Sequence, residues 1–186
     1  MSAWRFAAAS LAAGLLFACS TAPVAPRPER SSLERFVLDG RLAISQPSGA
    51  NTVRINWDHG ARQDRIGFYS PLGSQLALLS RDDAGARWEA ADGEVTEAAS
   101  IDDLVVYLTE FFVPVDALSR WVRGRVSDHA RAIGLDAQGR LLQAEDAGWQ
   151  VRILAYENET PNALPRTLEV RRDAMRVRLV IEEWHL

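Results

Sequence analysis

The clearest chemistry in this sequence belongs to its single cysteine, Cys19. Arg5 gives the start of the chain a positive charge, and residues 7–17 form an apolar run too short to span a bilayer comfortably. Residues 16–19 read Leu-Phe-Ala-Cys, the pattern at which bacterial lipoprotein precursors are cleaved before the cysteine. The Cys19 thiol can then carry a diacylglycerol through a thioether bond. We therefore predict a lipoprotein signal peptide over residues 1–18 and lipid attachment at Cys19.

Composition sets the broad class of the protein. The chain has 186 residues, of which 47% are hydrophobic and 25% are charged, as in an ordinary globular domain. The formal net charge of −4 argues against a general nucleic-acid partner, because nucleic-acid-binding domains are usually basic. A single cysteine also excludes a disulfide within the chain.

Signals for an enzyme or a metal site are weak. His59, His129 and His185 fall in separate regions, without the spacing of a zinc site. The one thiol is consumed by the predicted lipid, and the sequence has no Gly-x-Ser-x-Gly motif and no phosphate-binding loop. We therefore expect no catalytic residue, no metal and no cofactor.

The elements that must position any site are mostly strands. Apolar and polar residues alternate in both halves of the chain, which is typical of half-buried strands. Strands are predicted around residues 36–44, 53–57, 66–68, 76–79, 88–90, 149–155, 168–170 and 175–181. Gly40 indicates a bulge or a close backbone approach within the first of them.

Two helices interrupt the strands. Apolar residues at positions 101, 104, 105, 108, 111 and 112 have helical spacing. Ser100 and Asp103 resemble a capping box at the start of this helix, and Pro114 ends it. A second helix is predicted over residues 116–123, with Leu118 and Trp121 on its buried face.

The order of these elements predicts a single domain after a tether. Residues 19–30 hold the lipidated cysteine and a proline-rich tether, and residues 31–186 form the domain. A short helix capped by Ser31 or Ser32 is expected to run through Phe36. One antiparallel sheet whose concave face is covered by the helices would satisfy the apolar faces of both.

Several motifs, taken in order, resemble the LolB family of outer-membrane lipoproteins. No one motif is specific, but their ordered combination covers most of the chain from Phe36 to Trp184. The motifs are Asp39-Gly40-Arg41-Leu42-Ala43-Ile44, the Trp57 strand, Ser70-Pro71-Leu72-Gly73, Trp121-Val122-x-Gly124, Gly148-Trp149-x-Val151 and Arg176-Val177-x-Leu179-x-Ile181-x-x-Trp184.

The resemblance implies a fold and a function. The fold would be an incomplete antiparallel β-barrel, mainly β with some α, closed by a short helical lid over an apolar cavity. The function would be to take lipoproteins from the soluble periplasmic carrier LolA, hold their acyl chains, and insert them into the outer membrane without ATP. The domain would face the periplasm from a lipid anchor in that membrane, and we expect it to be a monomer.

Apolar side chains from strands and lid are the candidates for the cavity wall. Burying an unpaired polar group costs about 1–3 kcal/mol, so a site for acyl chains should be lined by aliphatic and aromatic residues. The candidates are Leu42, Ile44, Val53, Ile55, Trp57, Phe68 and Leu78 from strands, with Leu104, Leu108 and Phe112 from the lid. Periodicity alone does not distinguish a filled core from a cavity, and that alternative stays open.

The turn of Pro71, Leu72 and Gly73 is a candidate membrane-insertion loop. A Pro-Leu-Gly turn places a large aliphatic side chain at a loop tip, from which it can enter a lipid interface. The alternative is a Leu72 folded back onto the sheet edge. In the LolB family the corresponding loop carries a protruding apolar residue needed for delivery. Arg41 either orients a cargo head group or is a solvated strand residue, and the second interpretation is favoured.

Two other functions remain to be separated from this one. A structural outer-membrane lipoprotein without transfer activity would share the signal peptide, tether and β-rich domain, but would have a filled core. A soluble carrier like LolA would share the fold, and Cys19 argues against it.

Overall fold

The structure, a computed structural model, describes residues 29–109 and 114–186. These residues form one eleven-stranded antiparallel sheet with two short helices, α1 (Ile101–Thr109) and α2 (Val115–Trp121). The strands are β1 (Phe36–Gln46), β2 (Gly49–His59), β3 (Asp64–Tyr69), β4 (Gln75–Asp82), β5 (Gly85–Ala90), β6 (Val95–Ala98), β7 (Arg131–Leu135), β8 (Leu141–Asp146), β9 (Trp149–Tyr156), β10 (Pro165–Arg172) and β11 (Met175–His185).

The sheet is open rather than closed into a barrel. Its order is β6-β5-β4-β3-β2-β1-β11-β10-β9-β8-β7, so the first and last strands pair in its middle. The edges β6 and β7 flank the two helices in the chain and do not pair with each other. The predicted half-barrel with a helical lid is confirmed, as is the order of a β-rich segment, two helices and a second β-rich segment.

Alternation along the strands separates two faces of the sheet. In the middle of the sheet, Leu42 lies opposite Val53 on one side and Leu179 on the other, and all three point to the concave face. The next residue, Arg41, lies opposite Arg54 and points to the convex face. The concave face therefore carries the apolar residues and the convex face carries charged ones.

The hairpin connections define two ends of the sheet. We call the end with the β1–β2, β3–β4, β5–β6, β8–β9 and β10–β11 turns the open end. The opposite end, where β1 begins at Phe36 and β11 finishes at His185, is the closed end. At the closed end the Phe36 ring stacks on His59 at 4.8 Å between centroids and meets Trp184 edge-on.

The predicted irregularity at Gly40 is a β-bulge. The register between β1 and β11 shifts between Asp39 and Gly40. A Cβ atom at Gly40 would lie 2.5 Å from the backbone oxygen of Val180, so only glycine permits this close approach.

Helix α1 begins at Ile101 as predicted, and the residues where it was predicted to end, just before Pro114, lie outside the described residues. Helix α2 spans Val115–Trp121, close to the predicted residues 116–123. Ser100 Oγ accepts a hydrogen bond from the Asp103 N–H at 3.1 Å and donates one to its carboxylate at 2.6 Å, so the predicted cap forms. The short helix predicted through Phe36 is wrong. Only Arg30–Ser32 form a 3-10 turn, because Phe36 already packs as the buried first residue of β1.

Candidate functional site

An apolar cavity of about 500 Å³ lies between the concave face of the sheet and the helices. This volume falls within the range of about 300–1,000 Å³ that is usual for small-molecule pockets. Its walls are Leu42, Ile44, Gln46, Gly49, Asn51, Val53, Ile55, Trp57, Ile66, Phe68, Leu79, Trp88, Val105, Val115, Leu118 and Met175. The concave face is therefore not a completely filled core.

Strand alternation explains why these walls are apolar. Ile55 lies opposite Phe68, and Trp57 lies opposite Ile66, so the cavity side of β2 continues onto β3. Six of the residues expected from the sequence are in the wall. They are Leu42, Ile44, Val53, Ile55, Trp57 and Phe68.

Two expected residues lie elsewhere. Leu79, opposite Ile66, faces the cavity, whereas Leu78, opposite Gly67, points to the convex face. Leu104 is fully buried in the core and does not line the cavity, while Val105, the next residue of α1, does.

Some expected residues cannot be placed. Phe112 and Cys19 lie outside the described residues, and the side chain of Leu108 does too. Sequence reasoning also missed Trp88 and Met175 in the cavity wall. For Trp88 the sequence signal was present, because this apolar residue alternates with Arg87 and Glu89 in a predicted strand. The register of β4 and β5 places it opposite Leu79.

A buried polar cluster contacts the cavity wall through Trp57, toward the closed end. The Asp64 carboxylate accepts a hydrogen bond from Trp57 Nε1 at 2.8 Å and lies 2.6 Å from His59 Nδ1. Its other oxygen forms an ion pair with Arg81. Burial raises the pKa of the Asp64 carboxyl, but the hydrogen bonds from His59 and Trp57 outweigh burial and hold that pKa below its ordinary value. The cluster therefore fixes the Trp57 ring in the cavity wall.

The same cluster extends to the second helix of the lid. The other terminal nitrogen of Arg81 lies 2.5 Å from Asp116 in the first turn of α2. Asp102, in the first turn of α1, accepts the N–H of Val115 at 2.9 Å. Burial raises the pKa of the Asp102 carboxyl above its ordinary value. Both helices are thus held over the cavity by carboxylates at their first turns.

The cavity wall has polar residues toward the open end of the sheet. Gln46 and Asn51 belong to the two strands that flank the β1–β2 turn, and both line the cavity. Gln46 Oε1 is buried and has no hydrogen-bond partner among the described residues. The cavity wall is therefore apolar along most of its length and polar near the β1–β2 turn.

The Leu72 turn lies at the same end. Gly73 N–H donates to the Ser70 carbonyl at 2.9 Å, and Ser70 N–H donates to the Ser74 carbonyl at 2.8 Å. Gly73 has a φ of +89°, which favours glycine. The Leu72 side chain is 96% exposed, so it is not folded back onto the sheet. The turn fixes the backbone that presents this leucine to solvent.

Arg41 does not line the cavity. Its side chain is on the convex face, where Arg41 Nε lies 2.9 Å from Glu182 Oε1. This placement agrees with the favoured interpretation, a solvated strand residue.

Neither a metal site nor a membrane-spanning helix is found in the part of the chain that the structure describes. Within residues 29–109 and 114–186, no three His, Cys, Asp or Glu side chains are grouped so that they could hold a metal ion. In the same part of the chain, neither helix has the length and apolar character to cross a bilayer.

Comparison with known sequences gives a consistent family. The family model described as outer membrane lipoprotein LolB matches residues 34–184. A protein of Azoarcus sp. named outer-membrane lipoprotein LolB is 36% identical over 184 residues, which cover 97% of this chain and 94% of that protein. A Dechloromonas aromatica protein of the same name is 33% identical, with 94% of each chain covered.

Solved structures show the fold alone. A LolA superfamily protein from Nitrosomonas europaea aligns with a TM-score of 0.55 at 10% identity, covering 82% of this chain and 86% of that one. A DUF1329 family protein from Desulfovibrio piger aligns with a TM-score of 0.52 at 9% identity, covering 84% and 87% of the two chains.

Proposed function

This chain belongs to the LolB family of outer-membrane lipoproteins, and from that membership we propose that it receives lipoproteins and inserts them into the outer membrane. It takes them from a periplasmic carrier of the LolA type. Their acyl chains occupy the apolar cavity during the transfer. The observation that carries the proposal is the cavity of about 500 Å³ under the helices. A structural lipoprotein would have no need of such a space.

The energetics of the proposal require no cofactor. Each buried CH₂ of an acyl chain contributes about 0.8 kcal/mol, so a cavity holding part of a chain competes well with water but poorly with a bilayer. Cargo then moves downhill if affinity rises from carrier to this protein and from this protein to the membrane. This is a transport function, and no catalytic step is involved.

Anchoring supplies the other half of the proposal. Signal peptide 1–18 is removed, Cys19 carries lipid, and residues 20–30 tether the domain formed by residues 31–186. Two or more acyl chains are needed for stable anchoring of a protein to a bilayer. Mass spectrometry of the amino-terminal peptide tests this part, and an unmodified Cys19 would contradict it.

The transfer step is tested by mixing cargo-loaded carrier with this protein and following the cargo. Val53 lines the cavity, so Val53→Trp should fill part of it and lower uptake about tenfold. Thr52→Trp is the matched control, because Thr52 is exposed on the convex face one residue away. Equal uptake by both variants, or no uptake by the unmodified protein, would favour the structural lipoprotein instead.

A further inference from the structure

The convex face of the sheet carries a group of exposed arginines toward the open end. We call this group the arginine patch. Its members are Arg54 on β2, Arg152 on β9, Arg171 on β10, and Arg176 and Arg178 on β11. They all alternate with residues of the concave face, so their side chains share one surface.

Strand register brings four of these arginines close together. Glu169 on β10 lies directly opposite Arg152 on β9 and Arg178 on β11. Arg171 lies opposite Arg176, and its Nε donates to Glu169 Oε1 at 2.8 Å. Glu169 is only 4% exposed and lies beneath these side chains. One carboxylate thus faces several guanidinium groups, and the surface keeps a positive charge.

Charge is unevenly distributed along the convex face. Toward the closed end the face carries both signs, because Asp58, Glu182 and Glu183 are exposed there and Arg65 lies opposite Asp58. Arg41 sits at the boundary and is paired with Glu182 at 2.9 Å. Arg54, by contrast, forms no ion pair with any described residue, and nor do Arg152, Arg176 and Arg178. The arginine patch is therefore a locally basic surface on a chain whose formal net charge is −4.

The Leu72 turn adjoins this surface. Gly73, which follows Leu72, lines a shallow groove of about 390 Å³ together with Tyr69 and Arg54. Tyr69 lies opposite Arg54 in the register of β2 and β3. The Leu72 turn, Tyr69 and Arg54 thus lie together on one side of the molecule, and β1 separates Arg54 from the four arginines of β9, β10 and β11.

We propose that the arginine patch docks the convex face onto anionic phospholipid headgroups of the bilayer into which Leu72 inserts. Guanidinium groups bind phosphate oxygens in a bidentate manner, and arginines near an anionic surface are attracted to it. Lipid surfaces are bound by apolar side chains, by tyrosines at the interface and by basic side chains, and this face presents all three. An acidic protein partner would not require the exposed leucine beside the patch. This inference rests on the proposed function for the membrane anchor, and on the insertion of Leu72 expected from the sequence.

The experiment uses the lipidated full-length protein in phosphatidylcholine vesicles, with or without phosphatidylglycerol. A bimane label on Thr52→Cys, on the convex face two residues from Arg54, reports contact through quenching by brominated lipid. Each arginine should change the ratio of docked to undocked protein by about fivefold, so Arg54→Glu with Arg178→Glu should lower it at least about twentyfold. Raising the salt concentration should have the same effect, because these charges are exposed.

The matched control is Arg65→Glu with Arg166→Glu, an equal charge change at exposed positions near the closed end. It should leave quenching unchanged. Equal quenching in both kinds of vesicle, or equal loss in both double variants, would overturn the inference. Normal lipid docking with impaired cargo uptake in Arg54→Glu/Arg178→Glu would also overturn it, in favour of an acidic carrier surface. Cargo uptake without lipid docking in the unmodified protein would leave the transfer function standing and remove this inference alone.

Discussion

Leu72 is a large apolar residue whose side chain is almost completely exposed to water. Its side chain is 96% exposed, on a turn fixed by two backbone hydrogen bonds. Exposed leucines are common singly on protein surfaces, but few stand free at a turn tip. The exposed position of Leu72 is explained if the turn contacts the lipid bilayer as well as water.

Replacing Leu72 by glutamate should separate folding from delivery. The melting temperature should not change, because the side chain makes almost no buried contact. Cargo insertion into vesicles should fall about 10–100-fold, since burying a leucine contributes about 1.5–3 kcal/mol. Ser48→Glu adds the same charge at another exposed turn of the open end and serves as the control. Insertion at the same rate by both variants would contradict the role of Leu72.

Asp64 should matter for stability and its pH dependence. Asp64→Asn leaves Arg81 without its buried partner and should lower the free energy of unfolding by about 3–5 kcal/mol. Because the folded pKa lies below its ordinary value of 3.8, this stability is present above that pH and is lost as pH falls through the folded pKa. Urea unfolding at pH 7 and pH 3 should therefore show a smaller acid loss in the variant.

An exposed acidic residue provides the comparison for Asp64. Asp83 pairs with Arg62 at 2.7 Å on the surface, so Asp83→Asn should change stability by at most about 1 kcal/mol. If the two variants unfolded at similar urea concentrations, the cluster would not stabilise the protein.

For single residues, the sequence predicted which face of the sheet a side chain occupies wherever apolar and polar residues alternate along a strand. It placed Leu42, Val53 and their neighbours on one face because their period matches a half-buried strand. It did not predict the Asp64 cluster, since its contacts with Trp57 and Arg81 depend on strand register rather than on local spacing. Leu78 and Leu79 illustrate the same limit, because two adjacent leucines fit either face.

Among the elements, α1 is the one whose stability depends most on a few weak interactions. It has nine residues, which is too short to be a stable helix alone in water. Its cap at Ser100 and the packing of its buried residues, Ile101 and Leu104, hold it over β5 and β6. The lid is therefore the part of the molecule that we expect to open locally.

Ser100→Ala should loosen α1 without unfolding the sheet. Losing a serine cap costs about 1 kcal/mol, which corresponds to about fivefold faster hydrogen exchange of the α1 amides. Exchange in β1 and β11 should stay unchanged. Ser80→Ala, which removes only a weak 3.4 Å hydrogen bond, is the control. An equal increase in exchange across the whole sheet would show that α1 does not open separately.

The sequence did not predict β6, β7 and β8, which lie at or next to the edges of the sheet. Burial does not alternate regularly along β8, since Leu142 and Gln143 are both exposed. β6 has four residues and β7 five, and β7 contains Ala132 with a φ of +52°, which breaks its alternation. Exposed on one side and irregular, such segments lack the period that identifies inner strands.

For the whole molecule, the open sheet combines a rigid centre with a space on one side. β1 and β11 join the two ends of the chain in the middle of the sheet, so the concave face is fixed by pairing that spans the entire sequence. The family and architecture followed from the sequence because motif order reflects this arrangement. The size of the cavity did not, since it depends on how far the helices stand from the strands.

The two ends of the sheet impose a geometry on membrane attachment. Arg30 lies at the closed end, within 3.4 Å of where a side chain on Gly124 would begin, whereas Leu72 is at the open end. β1 alone extends about 34 Å between these ends. Fully extended, the ten residue-to-residue steps from Cys19 to Glu29 span at most about 35 Å. If the molecule stood upright, with its open end in the bilayer and Arg30 farthest from it, the tether would need almost all of that length.

The tether needs much less length if the molecule lies with its convex face along the bilayer, because both ends of the sheet are then close to the membrane. Deleting residues 21–26 leaves a reach of about 14 Å, enough for this posture and too little for an upright one. We expect the shortened protein to deliver cargo into vesicles at the unmodified rate, with a six-residue Gly/Ser replacement as the length control. If the deletion variant lost cargo delivery while the Gly/Ser replacement kept it, the upright orientation would be supported instead. Lying down, the molecule would turn its lid helices toward the periplasm, where an arriving carrier could reach them.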